Sequence, residues 1–138
     1  MVASGALLLA TDALSIERTH GSYILSACDF SKSTLTEFSY LQGSAELLLK
    51  FAETYDAVSG TVLNRRMFNA TMQANIAYLR AMLLNDTFAE MCPTLTSDKR
   101  TELTVKYSDD MQAYILAVDE LRKSHVIPFI LRVHEHLC

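Results

Sequence analysis

The 138-residue sequence has no tryptophan, only four glycines and two prolines, and no cluster of any of these residues. Phosphate-binding loops need clustered glycines and nucleophile elbows need a Gly-x-Ser-x-Gly motif, so both common enzyme signatures are absent. Catalytic groups usually lie on loops, and a chain so poor in turn residues has few loops. The sequence therefore predicts a protein that is not an enzyme and binds no cofactor.

Basic runs and long apolar runs are also missing. Twelve Lys and Arg against sixteen Asp and Glu give a net charge of −4, and no stretch is basic enough to follow a phosphate backbone, so we expect no nucleic-acid partner. A spanning helix needs about 20 apolar residues, but the most apolar stretch, residues 63–84, contains three Arg, so we expect no membrane span. The opening residues lack the basic start of a signal peptide, which favours an intracellular, cytoplasmic location.

Cysteine is scarce, and its number is odd. Cys28, Cys92 and Cys138 are widely separated, so at least one of them must be unpaired within a monomer. We expect reduced, structural thiols. Two Asn-x-Thr sequons, at Asn69 and Asn85, leave open the alternative of a secreted helical protein with one disulfide.

Helical periodicity dominates the sequence instead, and hydrophobic residues make up 50% of it. Residues 63–84 place large side chains in one stripe and alanines in a second row on the far side. A helix with two apolar faces has neighbours on both, so we expect a buried central helix, antiparallel to its predecessor. The stripe contains Phe68, Met72, Ile76, Leu79 and Leu83, and the alanine row contains Ala70, Ala74, Ala77 and Ala81.

Two helical stretches are expected before this segment. The first covers residues 2–19 and stops at His20–Gly21, because glycine readily closes a helix, and residues 22–30 are helical again. The next long helix begins at Thr34, whose spacing to Glu37 fits a capping box, and ends at residues 59–60.

The remaining pattern predicts one more long helix. Pro93 makes residues 92–96 a loop, and an amphipathic helix follows over residues 97–123. Pro128 can open a last short helix. Together these segments predict an all-α fold: an up-and-down bundle of four long helices plus a short C-terminal helix, forming a single domain over residues 1–138.

Two spacings could hold a metal ion. Glu17 and His20 share a helix face as in half of a di-metal site, but the second half is missing from the sequence. His134 and Cys138 could reach one zinc ion, but two further ligands would be needed. We expect His125 to be a core histidine, and we expect no metal.

One alternative for the central helix is a groove that binds a partner's helix. Asn75 interrupts the apolar stripe, and we expect its amide either to bond a neighbouring helix or to mark such a groove. Methionine side chains adapt well to partners. The candidate lining contains Met67, Met72, Met82 and Met111.

The leading functional hypothesis is a non-enzymatic interaction module, adaptor or regulator that binds another protein or itself. Its basis is apolar rows that a small bundle does not need for its own core. The alternatives are a secreted four-helix, cytokine-like signalling protein and a carrier of a small apolar ligand. The candidate partner-binding residues are Tyr40, Leu47, Phe51, Ile115 and Leu116.

Overall fold

The computed structural model describes residues 2–55 and 70–123, with side chains described for residues 5–54 and 71–123. Every regular element in these stretches is helical, so the all-α fold class is confirmed. The expected helix after Pro128 and the expected helix end at residues 59–60 lie outside the described residues. The elements are α1 (Val2–Ala27), α2 (Lys32–Tyr55), α3 (Ala70–Leu83), α4 (Asp86–Met91), a 3-10 turn (Cys92–Thr94) and α5 (Ser97–Leu121).

The central helix is α1, which packs against both α2 and α5, whereas α3 touches α1 and α5 through only a few residues. Steps of three and four residues place one row of α1 on a single face, as a coiled-coil seam requires. This row is buried along its whole length and consists of Leu7, Ala10, Leu14, Glu17, Gly21 and Ile24.

The expectation that residues 63–84 form the centre of the protein is wrong for the part that the structure describes. Helix α3 lies at the edge of the bundle, with Ile76, Leu79 and Leu83 buried. The three described members of the alanine row are exposed: Ala74, Ala77 and Ala81. An alanine offers a single methyl group to the core, so leaving a row of alanines in solvent sacrifices little hydrophobic stabilisation.

The predicted helix stop at His20–Gly21 is also wrong, because α1 continues to Ala27. Gly21 lies in the buried seam, where a Cβ atom would overlap the ring of Tyr107 from α5. The missing side chain therefore makes room for an aromatic ring rather than ending the helix. The Tyr107 hydroxyl donates a hydrogen bond of 3.1 Å to the Glu17 carbonyl oxygen, which fixes this contact between α1 and α5.

Helix α1 ends where Cys28 takes a left-handed backbone conformation, with φ of 49°. The amide of Asp29 then donates to the carbonyl oxygen of Ile24, the bond that closes a Schellman motif. Helix α2 begins at Lys32, before the predicted cap at Thr34. The Thr34 hydroxyl instead donates to the Asp29 carboxylate at 3.2 Å, so the predicted capping box is wrong.

A disulfide joins the end of α1 to the 3-10 turn. Cys28 and Cys92 are bonded, with Cα atoms 5.9 Å apart, which corrects the expectation of reduced thiols at these two positions. Sequence spacing does not reveal this pair, because the two residues are 64 apart and meet only in the folded chain. Phe88 of α4 packs edge to face on Phe30 beside the bond, with ring centroids 5.8 Å apart.

Candidate functional site

The structure separates the five predicted partner-binding residues. On α2, Tyr40 is 73% exposed, Leu47 is 69% exposed and Phe51 is 41% exposed. On α5, Ile115 is only 7% exposed and belongs to the core, so it is not accessible to a partner. Leu116 is exposed, but it lies among polar neighbours on α5, and single exposed leucines are ordinary.

A second exposed apolar row lies on α1. Leu9, Ile16 and Tyr23 are spaced by seven residues, so they share one side of the helix, and each is about half exposed. The sequence already places Leu9 and Ile16 on a side of α1 away from its narrow seam, and Tyr23 extends that side because it follows Ile16 by seven residues.

The rows on α1 and α2 flank the same seam between these helices. His20 and Glu37 face each other across that seam at 3.7 Å. On α1, His20 lies one helical turn from both Ile16 and Tyr23, and on α2, Glu37 lies one turn from Tyr40. We call the surface formed by the two rows the hairpin face. Its six large apolar residues are Leu9, Ile16, Tyr23, Tyr40, Leu47 and Phe51.

A buried ion pair holds the edge helix α3 against α1. The Arg80 guanidinium donates from Nε and Nη2 to the two Glu17 carboxylate oxygens, each at 2.8 Å. Arg80 Nη1 also donates to Oε1 of Glu46 on α2, at 3.2 Å. Glu17 is fully buried and Arg80 is 7% exposed, whereas the Glu46 side chain is 58% exposed. One arginine therefore connects three helices.

Burial raises the pKa of the Glu17 carboxyl above its ordinary value, because solvation of the charged form is lost, while the hydrogen bonds and charge of Arg80 act in the opposite direction. Burial would lower the pKa of Arg80, but Glu17 outweighs burial and raises it, so the guanidinium stays charged. Burial also raises the pKa of Tyr107. The arrangement suits a structural cross-link between helices.

The residues of this pair carried a sequence signal that was missed. Glu17 falls in the apolar seam of α1, three residues after Leu14, so an unpaired carboxylate there would be costly. Arg80 is one of the three Arg in residues 63–84, and its side chain is buried in the bundle. A charged residue inside an apolar seam predicts a buried partner, although it does not identify the partner.

A groove of about 650 Å³ separates α2 from α3, with Tyr114 of α5 in its lining. Of the methionines predicted to line a groove, Met111 is in the core, while Met72 and Met82 are partly buried against it. Asn75 is exposed rather than buried, so it does not fix helix register inside the bundle. The lining from α2 consists of Gln42, Glu46, Leu49, Lys50 and Glu53, and that from α3 and its end consists of Gln73, Ile76, Ala77, Arg80, Ala81 and Leu84.

The candidate metal residues are placed as follows. Among the described residues, no group of three or more His, Cys, Asp and Glu side chains is arranged to hold a metal ion. His20 contacts Glu37, whereas the Glu17 carboxylate contacts Arg80, so the two side chains of the predicted half-site have different partners. His125, His134 and Cys138 lie outside the described residues.

No helix in residues 2–55 and 70–123 combines the length and apolar character needed to cross a membrane. No family model, no curated protein and no solved structure matches this chain.

Proposed function

We propose that the chain is a non-enzymatic helical module that binds another protein, or another copy of itself, through the hairpin face. The observation that carries this proposal is the concentration of large apolar side chains on one outer surface. All six residues of the hairpin face are between 41 and 73% exposed. Apolar side chains lower the free energy when they leave water, so a partner that covers this face is stabilised by it.

The size of the hairpin face fits a protein partner. If each of its six side chains exposes on the order of 100 Å², the apolar patch reaches about 600 Å², the upper end for ordinary monomers. Backbone and small residues around it bring the surface toward the roughly 800 Å² per partner of a standard interface. Tyr40 and Phe51 are aromatic residues of the kind that dominate binding energy in such interfaces.

Affinity capture from the native source tests this function. Tagged wild-type chain is compared with Leu47→Glu, which places a charge in the hairpin face, and with Leu116→Glu, the same change on α5. We expect at least one protein, or the untagged chain itself, to be retained by wild type and Leu116→Glu and lost with Leu47→Glu. A set of retained proteins that is identical for all three baits would refute the hairpin face as the binding surface.

A secreted, cytokine-like signalling protein is the second candidate, and the disulfide between Cys28 and Cys92 favours it. Disulfides persist in oxidising compartments and are rare in the cytoplasm. The bond therefore favours an oxidising compartment over the cytoplasmic location expected from the sequence. The Asn85 sequon also lies at an exposed position, where its side-chain oxygen caps α4 by accepting from the Phe88 amide.

Mass spectrometry of the natural protein separates the two locations. A peptide pair linked through Cys28 and Cys92, with sugar on Asn85, supports the secreted protein. Free thiols at both cysteines together with an unmodified Asn85 would remove that candidate and leave the intracellular module.

A further inference from the structure

The groove between α2 and α3 is elongated, and its buried lining is largely apolar. Its lining runs between residues 42 and 53 of α2 and between residues 73 and 84 of α3 and its end. Each of these stretches extends about 16 Å at 1.5 Å rise per residue. Buried side chains in the lining include Leu49, Ile76 and Tyr114. The volume of about 650 Å³ lies within the range of small-molecule sites in proteins, so the groove suits an elongated ligand with an apolar body.

Tyr114 carries the observation that points to a ligand. It lines the groove from α5 and is only 5% exposed. Burial raises the pKa of its hydroxyl, and the charges of Arg80, Glu17 and Glu46 act on the same group, so the hydroxyl lies near the Arg80 ion pair. This hydroxyl has no hydrogen-bond partner among the described residues. Buried tyrosine hydroxyls usually have a partner, and a ligand in the groove can supply it.

The polar groups near this hydroxyl lack a hydrogen-bond donor rather than an acceptor. Each nitrogen of the Arg80 guanidinium already donates to a carboxylate, so Arg80 is a poor partner for an anionic ligand. The Gln42 amide nitrogen donates to Glu46 at 3.5 Å, whereas the buried Gln42 amide oxygen accepts from no described group. A ligand group that complements these atoms therefore carries N–H donors, as an ammonium does and a carboxylate does not.

The charges along the groove favour the same kind of ligand. Glu17 neutralises Arg80. The other charged side chains in the lining are two carboxylates, Glu46 and Glu53, and one ammonium, Lys50, which together leave a net charge of −1. Lys50 is exposed, whereas Glu53 is half-buried. A cation in the groove is attracted by this excess of negative charge, and an anion is repelled.

We propose that this groove binds an elongated organic cation, an amine with an aliphatic chain, whose ammonium lies between the Tyr114 hydroxyl and the Glu46 carboxylate. The ammonium donates to both groups, which gives the Tyr114 hydroxyl its partner. The aliphatic chain lies along Leu49 and Ile76 and beside the exposed methyl group of Ala77. No residue of the hairpin face lines the groove, so this inference does not depend on the proposed function.

Isothermal titration calorimetry of the full chain near neutral pH tests the class of ligand. Octylamine, octanol and octanoate share one aliphatic chain and differ in the charge of the head group. We expect octylamine to bind with a dissociation constant below about 1 mM, octanol to bind roughly fivefold more weakly, and octanoate to bind more weakly still. Absence of octylamine binding, equal affinity for all three compounds, or a preference for octanoate would overturn the proposal.

A matched pair of substitutions on α3 tests the position of the ligand. Ala77→Phe fills the groove and is expected to weaken octylamine binding at least tenfold. Ala74→Phe is the control, because Ala74 is also exposed on α3 but does not line the groove. Both variants should keep the helical circular dichroism of the wild type, since both alanines are exposed. Equal effects of the two substitutions on octylamine binding would overturn the placement.

Substitutions at the head group test the roles of Glu46 and Tyr114. Glu46→Gln and Tyr114→Phe are each expected to weaken octylamine binding roughly three- to fivefold, while Glu46→Gln leaves octanol binding unchanged. Glu102→Gln is the control for lost charge, because Glu102 pairs with Lys99 on α5, away from the groove, and it should bind octylamine as the wild type does. If Glu46→Gln weakens octanol as much as octylamine, or neither head-group variant affects octylamine, the assigned ammonium position is wrong.

Discussion

Replacing Arg80 by methionine is expected to destabilise the protein more than any surface substitution. The change removes both 2.8 Å hydrogen bonds to Glu17 and leaves a fully buried carboxylate without its partner. Breaking a buried ion pair by removing one member costs about 3 to 5 kcal/mol, because the other charge stays in a low-dielectric environment. For a domain of this size, that loss corresponds to a drop in Tm of roughly 10 to 20 °C.

The pH dependence of the variant follows from the same argument. Burial already raises the pKa of Glu17 above its ordinary value of 4.5, and removing Arg80 removes the interactions that lower it. The folded variant therefore binds a proton at a pH where the unfolded chain does not. Its free energy of unfolding should rise, relative to wild type, as the pH falls from 8 toward 5. The deficit of the variant is largest when Glu17 is ionised.

Urea denaturation followed by circular dichroism at fixed protein concentration measures these differences. Lys99→Met is the control, because Lys99 pairs with Glu102 at the surface, where such a pair contributes about 1 kcal/mol or less. Adding Glu17→Met to Arg80→Met should recover most of the lost stability, since apolar replacement of both members is often neutral. A loss below about 1 kcal/mol for Arg80→Met, or no recovery in the double variant, would refute the account of this pair.

Three further predictions concern packing, the disulfide and the hairpin face. Gly21→Ala should destabilise by about 1 to 3 kcal/mol through overlap with the Tyr107 ring, while Gly5→Ala, which has open space around it, should be neutral or slightly stabilising in the same urea titration. Reducing the bond between Cys28 and Cys92 should remove about 2 to 4 kcal/mol of stability, and an unchanged urea midpoint with dithiothreitol would contradict the pairing. Leu47→Glu should change the stability of the monomer by no more than about 0.5 kcal/mol, because this side chain is largely exposed.

Sequence periodicity predicted the helical class because strong amphipathic spacing runs through α2 and α5. The prediction of a helix end failed at Gly21. Glycine often ends a helix, but this glycine lies inside α1 and makes room for the Tyr107 ring. Glycine at a helix interior and glycine at a helix end look the same in sequence until the Tyr107 ring is placed.

The prediction that residues 63–84 form the central helix failed for a related reason. A row of alanines on the far side of the helix from the apolar stripe resembles a second buried face, but α3 leaves Ala74, Ala77 and Ala81 in solvent. In α1, the buried seam contains Glu17, and a charged residue makes a core position look like a surface position in the sequence. Whether such a charge is buried depends on where Arg80 lies in space, which the sequence does not give.

The candidate surface was partly predictable. Tyr40, Leu47 and Phe51 fall outside the core stripe of α2, and the structure leaves them exposed. Ile115 and Leu116 are adjacent on α5, so at most one could face solvent fully, and spacing alone did not decide that Ile115 is buried. The α1 row and the α2 row lie near each other only because the two helices pack together, which the spacing within either helix does not show.

Hydroxyl-radical footprinting of the hairpin face tests the central claim most directly. Oxidation of Tyr40 and Leu47 is measured at about 1 µM and about 200 µM, and again with any captured partner, while Val105 and Leu116 serve as exposed references on α5. The account predicts reduced oxidation of Tyr40 and Leu47 in at least one of these complexes, with the references unchanged. Oxidation of Tyr40 and Leu47 that stays the same in every condition would contradict it.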